Sequence, residues 1–421
     1  MLTANNYDNP PNVRKLLVLD SSYSLEAIRS RSLEDSVTCR DLEGFFEHVW
    51  TVHPFATLVT SDEWASKCGT PEVCSLEPNH TFIEGKVGRF SALQGLPKLN
   101  FFLSQINIFI QLVRLIRKEE ISVVRVGDPH FLGIFGWGLS RLCRIPLAIR
   151  IAGNYDLNYK VVGDMGSRKL FRARWIEKII ERFVLKRADL VACPSKNYME
   201  YSLSNGAKPE FIALFRYGNL IDKRHLVDPK HRPDGTAFLE ELGLKNKQFL
   251  LAIGRLESLK HPDHVVRILA ELRLRGYDIK LAFVGDGSLR EDLIALAVEL
   301  GVEGEIVFCG NRDQQWLSMI IPHAAVVVSP FTGRALSEAA FGAAPIVAYD
   351  LDWQGELIQT GVTGELVPEL EWRKMADSVE TFLTNPEYAC SMGGAVRHSA
   401  LEMLDPKKLD QLERSAYQKL F

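Results

Sequence analysis

Short runs of consecutive apolar residues recur along the chain, each closed by glycine, proline or polar residues, and longer segments with apolar residues three and four apart lie between them. The short runs predict strands covered on both faces, and the longer segments predict helices that cover them. In the first half the runs fall at 15–20, 49–54, 123–126, 146–152, 188–195 and 215–219, and in the second at 249–253, 280–284, 306–308, 324–328 and 346–349. Helical periodicity fills 31–46, 101–119, 131–142, 168–187, 263–274, 289–300 and the stretch from 336 onward. Strands alternating with helices predict an α/β fold with parallel sheets, whose loops after each strand open on a common edge. Between 60 and 98, Gly69, Pro71, Pro78, Gly85, Gly88, Gly95 and Pro97 break the pattern too often to predict an element.

A chain of 421 residues is long for one core and suits two domains. The polar, breaker-rich passage 221–235 (IDKRHLVDPKHRPDG) reads as the linker. The expected division is 1–222, 223–400, and a last helix over 401–421 packing back toward the first domain. The net charge of −3 gives no global field for nucleic acid, so any anion must be held by local groups. Seven scattered cysteines, with no Cys-x-x-Cys pair, read as reduced thiols, which predicts a cytoplasmic compartment and no metal site. The polar first eleven residues lack the pattern of a signal peptide. The apolar segment 101–116 is interrupted by Ser104, Gln105, Asn107, Gln111 and Arg114 and reads as a half-buried helix, not a membrane span. The stretch 168–187, opened by Arg168 and closed by Arg187, sets Arg174, Lys178, Arg182 and Lys186 on one ridge beside Phe171, Trp175, Ile179 and Phe183 on the next. Such a helix suits an anionic membrane surface, or else a core face backed by solvated cations.

Candidate chemistry concentrates at strand ends. Gly254-Arg255 with Lys260 offers a close backbone approach, a forked donor and a compact charge to a diphosphate. Gly285-Asp286-Gly287 and Cys309-Gly310-Asn311 end the next two strands. After the strand 324–328 come Thr332, Gly333 and Arg334, then a helix start with Ser337 and Glu338, where free amides attract phosphate and a carboxylate can hold a ribose diol. Asp352, Gln354 and Glu356 follow the strand 346–349 as ligands or helix-start residues. In the first half Ser21, Ser22, Tyr23, His130 and Asn154 also follow strands, where turn roles compete with acceptor contacts, and His53 reads as structural.

In order and spacing, the motifs between 249 and 368 resemble glycosyltransferase family 4, the retaining nucleotide-sugar transferases of GT-B fold. They are Ile253-Gly254-Arg255-Leu256 with Lys260, Val284-Gly285-Asp286-Gly287, Phe308-Cys309-Gly310, Glu338-Ala339, Pro345-Ile346-Val347-Ala348 and Thr363-Gly364-Glu365-Leu366-Val367. The resemblance implies two Rossmann-like domains facing across a cleft. It implies that Arg255 and Lys260 grip the donor diphosphate, that Glu338 binds the ribose, and that the backbone at Cys309-Gly310 lies against the base. The implied partners are a nucleoside diphosphate sugar and a saccharide or lipid-linked saccharide acceptor, as in cell-envelope polysaccharide or glycolipid synthesis, with no cofactor, no metal and no nucleic acid. The family's paired glutamates are half present here, since Pro330 stands where the first would be. Two rivals share the same grip: a nucleotide-sugar epimerase, and a non-catalytic nucleotide-sugar-binding partner subunit.

Overall fold

Two sheets of mostly buried strands organise the chain in the computed structural model, which describes residues 14–30, 33–56, 67–93, 95–163, 173–216, 221–331 and 333–421. The first sheet takes β1 (Lys15–Leu19), β2 (His48–His53), β3 (Glu72–Glu77), β4 (His80–Glu84), β5 (Val123–Val126), β6 (Leu147–Arg150), β7 (Leu190–Cys193) and β8 (Ile212–Leu214). Their order is β3-β4-β2-β1-β5-β6-β7-β8, parallel throughout except for the β3–β4 hairpin at one edge. The second sheet takes β9 (Phe249–Ile253), β10 (Lys280–Val284), β11 (Ile306–Phe308), β12 (Val326–Ser329), β13 (Ile346–Tyr349) and β14 (Glu365–Val367). Its order is β11-β10-β9-β12-β13-β14, all parallel.

Each sheet buries both faces, because alternate residues of a strand point to opposite sides. In β1, Leu17 and Leu19 join one core with Ile108, Leu112 and Leu139, whereas Leu16 and Val18 join another with Phe46, Phe215 and Tyr417. The second core is closed by the last helix, Pro406–Gln418, which brings Tyr417 across to the first sheet, while the preceding helix Pro386–Met403 seats Val396 and Ala400 against the second.

Three expectations change. The 31–46 helix is only Glu34–Thr38 with a tight turn Cys39–Asp41, because Leu42, Glu43 and Gly44 all take positive φ and swing Leu42 and Phe46 inward. The region 60–98 holds the β3–β4 hairpin. The strand expected at 215–219 is β8, ending at Leu214, and 217–220 fall outside the described residues. The apolar helix Pro97–Glu119 has the length and hydropathy of a membrane span, yet Ile108, Leu112, Val113 and Ile116 are buried in the first domain's core.

Both sheets reverse strand order at their first strand: at β1, between β2 and β5, and at β9, between β10 and β12. Loops after the two strands at such a point diverge and leave a crevice.

Candidate functional site

A cleft of about 620 Å3 has walls from both sheets. On the second-sheet side its wall begins with the loops after β9, β10 and β11, which are stitched by backbone bonds. The Gly254 amide donates to the Val284 carbonyl and the Gly285 amide to the Gly310 carbonyl, both at 2.9 Å. Glycine is required here twice over. Gly254 and Gly285 have φ of 155° and 134°, and a Cβ on Gly285 would lie 2.0 Å from the Gly254 oxygen.

Arg255 and Lys260 stand on this wall. Lys260 is half-buried, its Nζ 4.4 Å from the centre of the Phe331 ring. Burial, reinforced by the nearby Arg255 charge, pushes its ammonium down to about 8, against the pull of Asp352. On the same side the helix Arg334–Phe341 begins at Gly333 with no side-chain cap, and Gly333, Arg334 and Ala335 line the cleft. A helix start so placed favours an anion. Glu338, one turn in, is 4 % exposed; Arg334 Nε lies 3.2 Å from its Oε1, and Gln314 also bonds it. Burial raises its carboxyl above the ordinary value despite those two partners. Gln314 is itself fixed by His225, 2.7 Å away.

The first domain supplies Tyr23, Gly153, Asn158, Ser195 and Tyr198. Beside the cleft the domains touch through charge: the Lys196 amide donates to Glu356 Oε1 at 2.7 Å, and Arg216 meets Glu356 Oε2 at 2.6 Å. The Tyr198 hydroxyl donates to Asp352 Oδ2 at 3.2 Å, and burial pushes the Asp352 carboxyl up to about 6.

Of the residues singled out from the sequence, Gly254, Arg255, Lys260, Gly285, Asn311, Gly333, Arg334, Glu338 and Tyr23 come together on this cleft. Others sit behind it. Gly287 is needed for packing, since a Cβ there would meet the Leu256 oxygen at 2.4 Å. The Cys309 thiol is buried and raised to about 11, Gly310 serves through its carbonyl, and Ser337 is 1 % exposed inside the helix. Thr332 lies outside the described residues.

His130 and Asn154 are not on the cleft wall. His130 is wholly buried, its Nε2 2.8 Å from Glu181, and Asn154 caps the helix Tyr155–Val162 by accepting from the Leu157 amide. Gln354 takes the helix-start reading: first in the helix Gln354–Leu357 and fully buried, it donates to the carbonyls of Pro330 at 3.0 Å and Tyr349 at 2.8 Å and so fixes the backbone around Pro330. Pro330 therefore contributes a tethered backbone, and its neighbour Phe331 the ring beneath Lys260.

Beside the cleft, and sharing Tyr23, Ala152 and Arg334 with it, is a second pocket of about 190 Å3 lined by Ser22, Asp20, Arg40, Arg125, Arg150 and Glu413. Sequence reasoning missed its arginines. One signal was available: Arg125 interrupts the all-valine strand β5 (VVRV), where a buried cation demands a partner.

Residues 236–399 match the family model "Glycosyl transferases group 1". Alpha-D-kanosaminyltransferase of Streptomyces kanamyceticus is 31% identical over 152 residues, 35% of this chain and 39% of that protein. The GDP-mannose-dependent alpha-(1-6)-phosphatidylinositol monomannoside mannosyltransferase of Mycolicibacterium smegmatis is 31% identical over 182 residues, 40% of this chain and 48% of that protein. The match thus spans less than half the length of each relative. Among solved structures, sucrose-phosphate synthase of Thermosynechococcus elongatus superposes with a TM-score of 0.73 at 16% identity, covering 97% of this chain and 99% of that one. Anabaena HepE in complex with UDP and glucose gives 0.71 at 16% identity, covering 96% and 100%. Along nearly its whole length the chain therefore has the GT-B fold, and its second domain carries the group 1 glycosyl transferase pattern.

Proposed function

We propose that this chain moves a sugar from a nucleoside diphosphate sugar to an acceptor hydroxyl presented by the first domain. The observation that carries the reading is the convergence of Arg255, Lys260, Arg334 and an uncapped helix start on one wall of the cleft, with the buried carboxylate of Glu338 beside them. The cations would take up the negative charge that grows on the departing diphosphate, a contribution available only where water is excluded and donors are already placed. Glu338 would accept from the ribose hydroxyls. Retention of configuration and independence of added metal belong to the same reading, as does a UDP- or GDP-type donor like those in the names of the similar proteins.

The test is incubation with labelled nucleotide sugars and candidate acceptors, with and without chelator, separating free nucleotide, epimer and transferred sugar. Transfer that survives chelation is the expected result. An epimer would convict the first rival, and tight binding with no turnover the second.

The acceptor reading extends to a lipid surface. On the helix Arg174–Leu185, Arg174 and Lys178 turn inward to Asp156, Glu177 and Glu181, so the outward face carries Trp175, Ile179 and Arg182. Phe102, Ile106 and Ile110 of the helix Pro97–Glu119 and Ile134 of Phe131–Cys143, the helix between the two, are exposed as well. Apolar side chains with cations beside them fit an anionic bilayer. Flotation with anionic vesicles, lost in the Trp175→Ala, Arg182→Glu double variant, is the expected outcome.

A further inference from the structure

The second pocket lies at the point where the first sheet's strand order reverses. Asp20 and Ser22 follow β1, Arg125 and Gly127 come from β5 and the turn after it, and Arg150 ends β6. It thus occupies in the first sheet the place that the diphosphate wall occupies in the second. Its charges do not balance. Arg40 is bound to Asp20 and to Thr51 Oγ1, and Asp20 also lies near enough to Arg125 for the two charges to stabilise each other. Burial pushes the Asp20 carboxyl up, but Arg40 and two bonds from Ser22 outweigh it and hold it at about 2, ionised at any working pH.

Arg125 and Arg150, by contrast, share a single carboxylate oxygen, Glu413 Oε1, at 3.7 Å each, too far for a hydrogen bond. Arg125 is 4 % and Glu413 3 % exposed. Arg150 Nη2 and Glu413 Oε1 are both buried without a hydrogen-bond partner among the described residues. Nearby titratable groups add no compensating charge: burial depresses His80 to about 3 and raises both the Cys39 thiol and the Tyr417 hydroxyl, which lies beside Arg125, leaving all three neutral. Three guanidiniums therefore face two carboxylates in a space of about 190 Å3, with Arg334 at its mouth. The guanidinium left over is that of Arg150, whose side chain is 19 % exposed, and a cation partly withdrawn from water with no carboxylate of its own favours an anion beside it.

We propose that this pocket binds the phosphate group of an anionic acceptor, with Arg125 and Arg150 as its two forked donors and Tyr23 and Arg334 at the passage to the cleft. The inference rests on the transferase reading: phosphate held here leaves the rest of the acceptor directed past Tyr23 and Ala152, residues common to both cavities, toward the sugar donor. It identifies the acceptor as a phosphate monoester or a phosphate-bearing headgroup. Planar guanidinium forks match phosphate oxygens in pairs, which a lysine in the same place would not do.

The test titrates the full chain with inorganic phosphate at constant ionic strength, following thermal stability and heat of binding, in wild type, Arg255→Ala, Arg150→Gln and Glu413→Gln. Phosphate binding is expected to persist in Arg255→Ala, to weaken at least tenfold in Arg150→Gln, and to tighten in Glu413→Gln, where a competing carboxylate is neutralised. A merely damaged pocket cannot give that tightening. Loss of phosphate binding in Arg255→Ala with no change in Arg150→Gln would assign the anion to the donor wall and overturn the proposal, as would weaker binding in Glu413→Gln.

A parallel titration with a nucleoside diphosphate separates the two readings. It depends on Arg255 and not on Arg150, so it stands or falls with the donor site alone. With phosphate bound, soluble sugar phosphates and vesicles bearing phosphoinositol headgroups then compete as acceptors, and the arm that is glycosylated names the source. If only neutral acceptors are glycosylated, and phosphate inhibits, the proposal fails.

Discussion

The two sheets open their crevices at equivalent points but build them from different materials. In the second sheet the wall is backbone: Gly254 and Gly285 at positive φ, amides bonded to carbonyls of the neighbouring loop, and an uncapped helix start. In the first it is side chain: arginines set beside carboxylates, one of which, Glu413, arrives from the far end of the chain. A backbone wall tolerates almost no change where it is tight, because a Cβ has nowhere to go. A side-chain wall can change by single charges, at the cost of any partner left buried without one. The first arrangement suits a group that never varies, such as a diphosphate, and the second a group that does, such as an acceptor.

Legibility in the sequence followed the same line. Glycines and cations at strand ends within 254–338 are local patterns, so they could be read as motifs, and their strands announced themselves as unbroken apolar runs. Arg40, Arg125, Arg150 and Glu413 lie on four distant segments, and only the pairing of β1 with β5 and β5 with β6, plus the return of the last helix, brings them together. No spacing rule encodes that. For His130 and Asn154 ligand and turn roles stayed open, because strand-end position does not say which way a side chain turns. For Gln354 the helix-start reading holds, and its tie to the Pro330 carbonyl went unread because a buried amide and a binding amide look alike in sequence.

The largest effect that would sharpen the contrast is at Lys260. Lys260→Met is expected to lower turnover by ~10²–10³-fold, the usual consequence of removing one preplaced stabiliser of developing charge. The same change should not destabilise the fold. The ammonium of Lys260 is depressed to about 8 from an ordinary 10.5, so its burial penalty is fully present below pH 8 and fades as pH rises toward 10.5. Melting temperatures of Lys260→Met should therefore equal or exceed wild type at pH 7, and that advantage should vanish by about pH 10.5. A large loss of stability at pH 7 would place Lys260 among structural residues.

Gly285→Ala should cost about 3 kcal/mol or more, because an added Cβ meets the Gly254 carbonyl at 2.0 Å and the backbone conformation resists any side chain. Nucleoside diphosphate binding should fall with it, while phosphate binding in the first-sheet pocket survives in the fraction still folded. Equal loss at both pockets would break the comparison.

Gln354→Leu leaves the carbonyls of Pro330 and Tyr349 buried without their donor, a loss of ~1–3 kcal/mol by denaturant unfolding. Because it frees the loop that carries Phe331 and precedes Arg334, the Michaelis constant for donor should rise more than kcat falls. An unchanged Michaelis constant would show that the loop holds its shape through Phe331 alone.

The smallest effect is the most informative about how the halves meet. Asp352 belongs to the second domain, has an unusual positive φ of 56°, and receives its hydrogen bond from Tyr198 of the first. Burial raises its carboxyl from 3.8 to about 6, with Tyr198 and Lys260 pulling the other way. A raised carboxylate makes no demand on the fold while protonated, below about pH 4, and imposes its full penalty once ionised, above about pH 6. Asp352→Asn should therefore be more stable than wild type at pH 7.5, by about 1 kcal/mol once solvent screening is allowed for, and indistinguishable from it at pH 4. Tyr198 of the first domain is part of the surroundings that bury Asp352. If the stability difference shows no dependence on pH, the carboxylate is solvated, the Tyr198 contact is open in solution, and the two crevices reach one another only when a ligand draws them together.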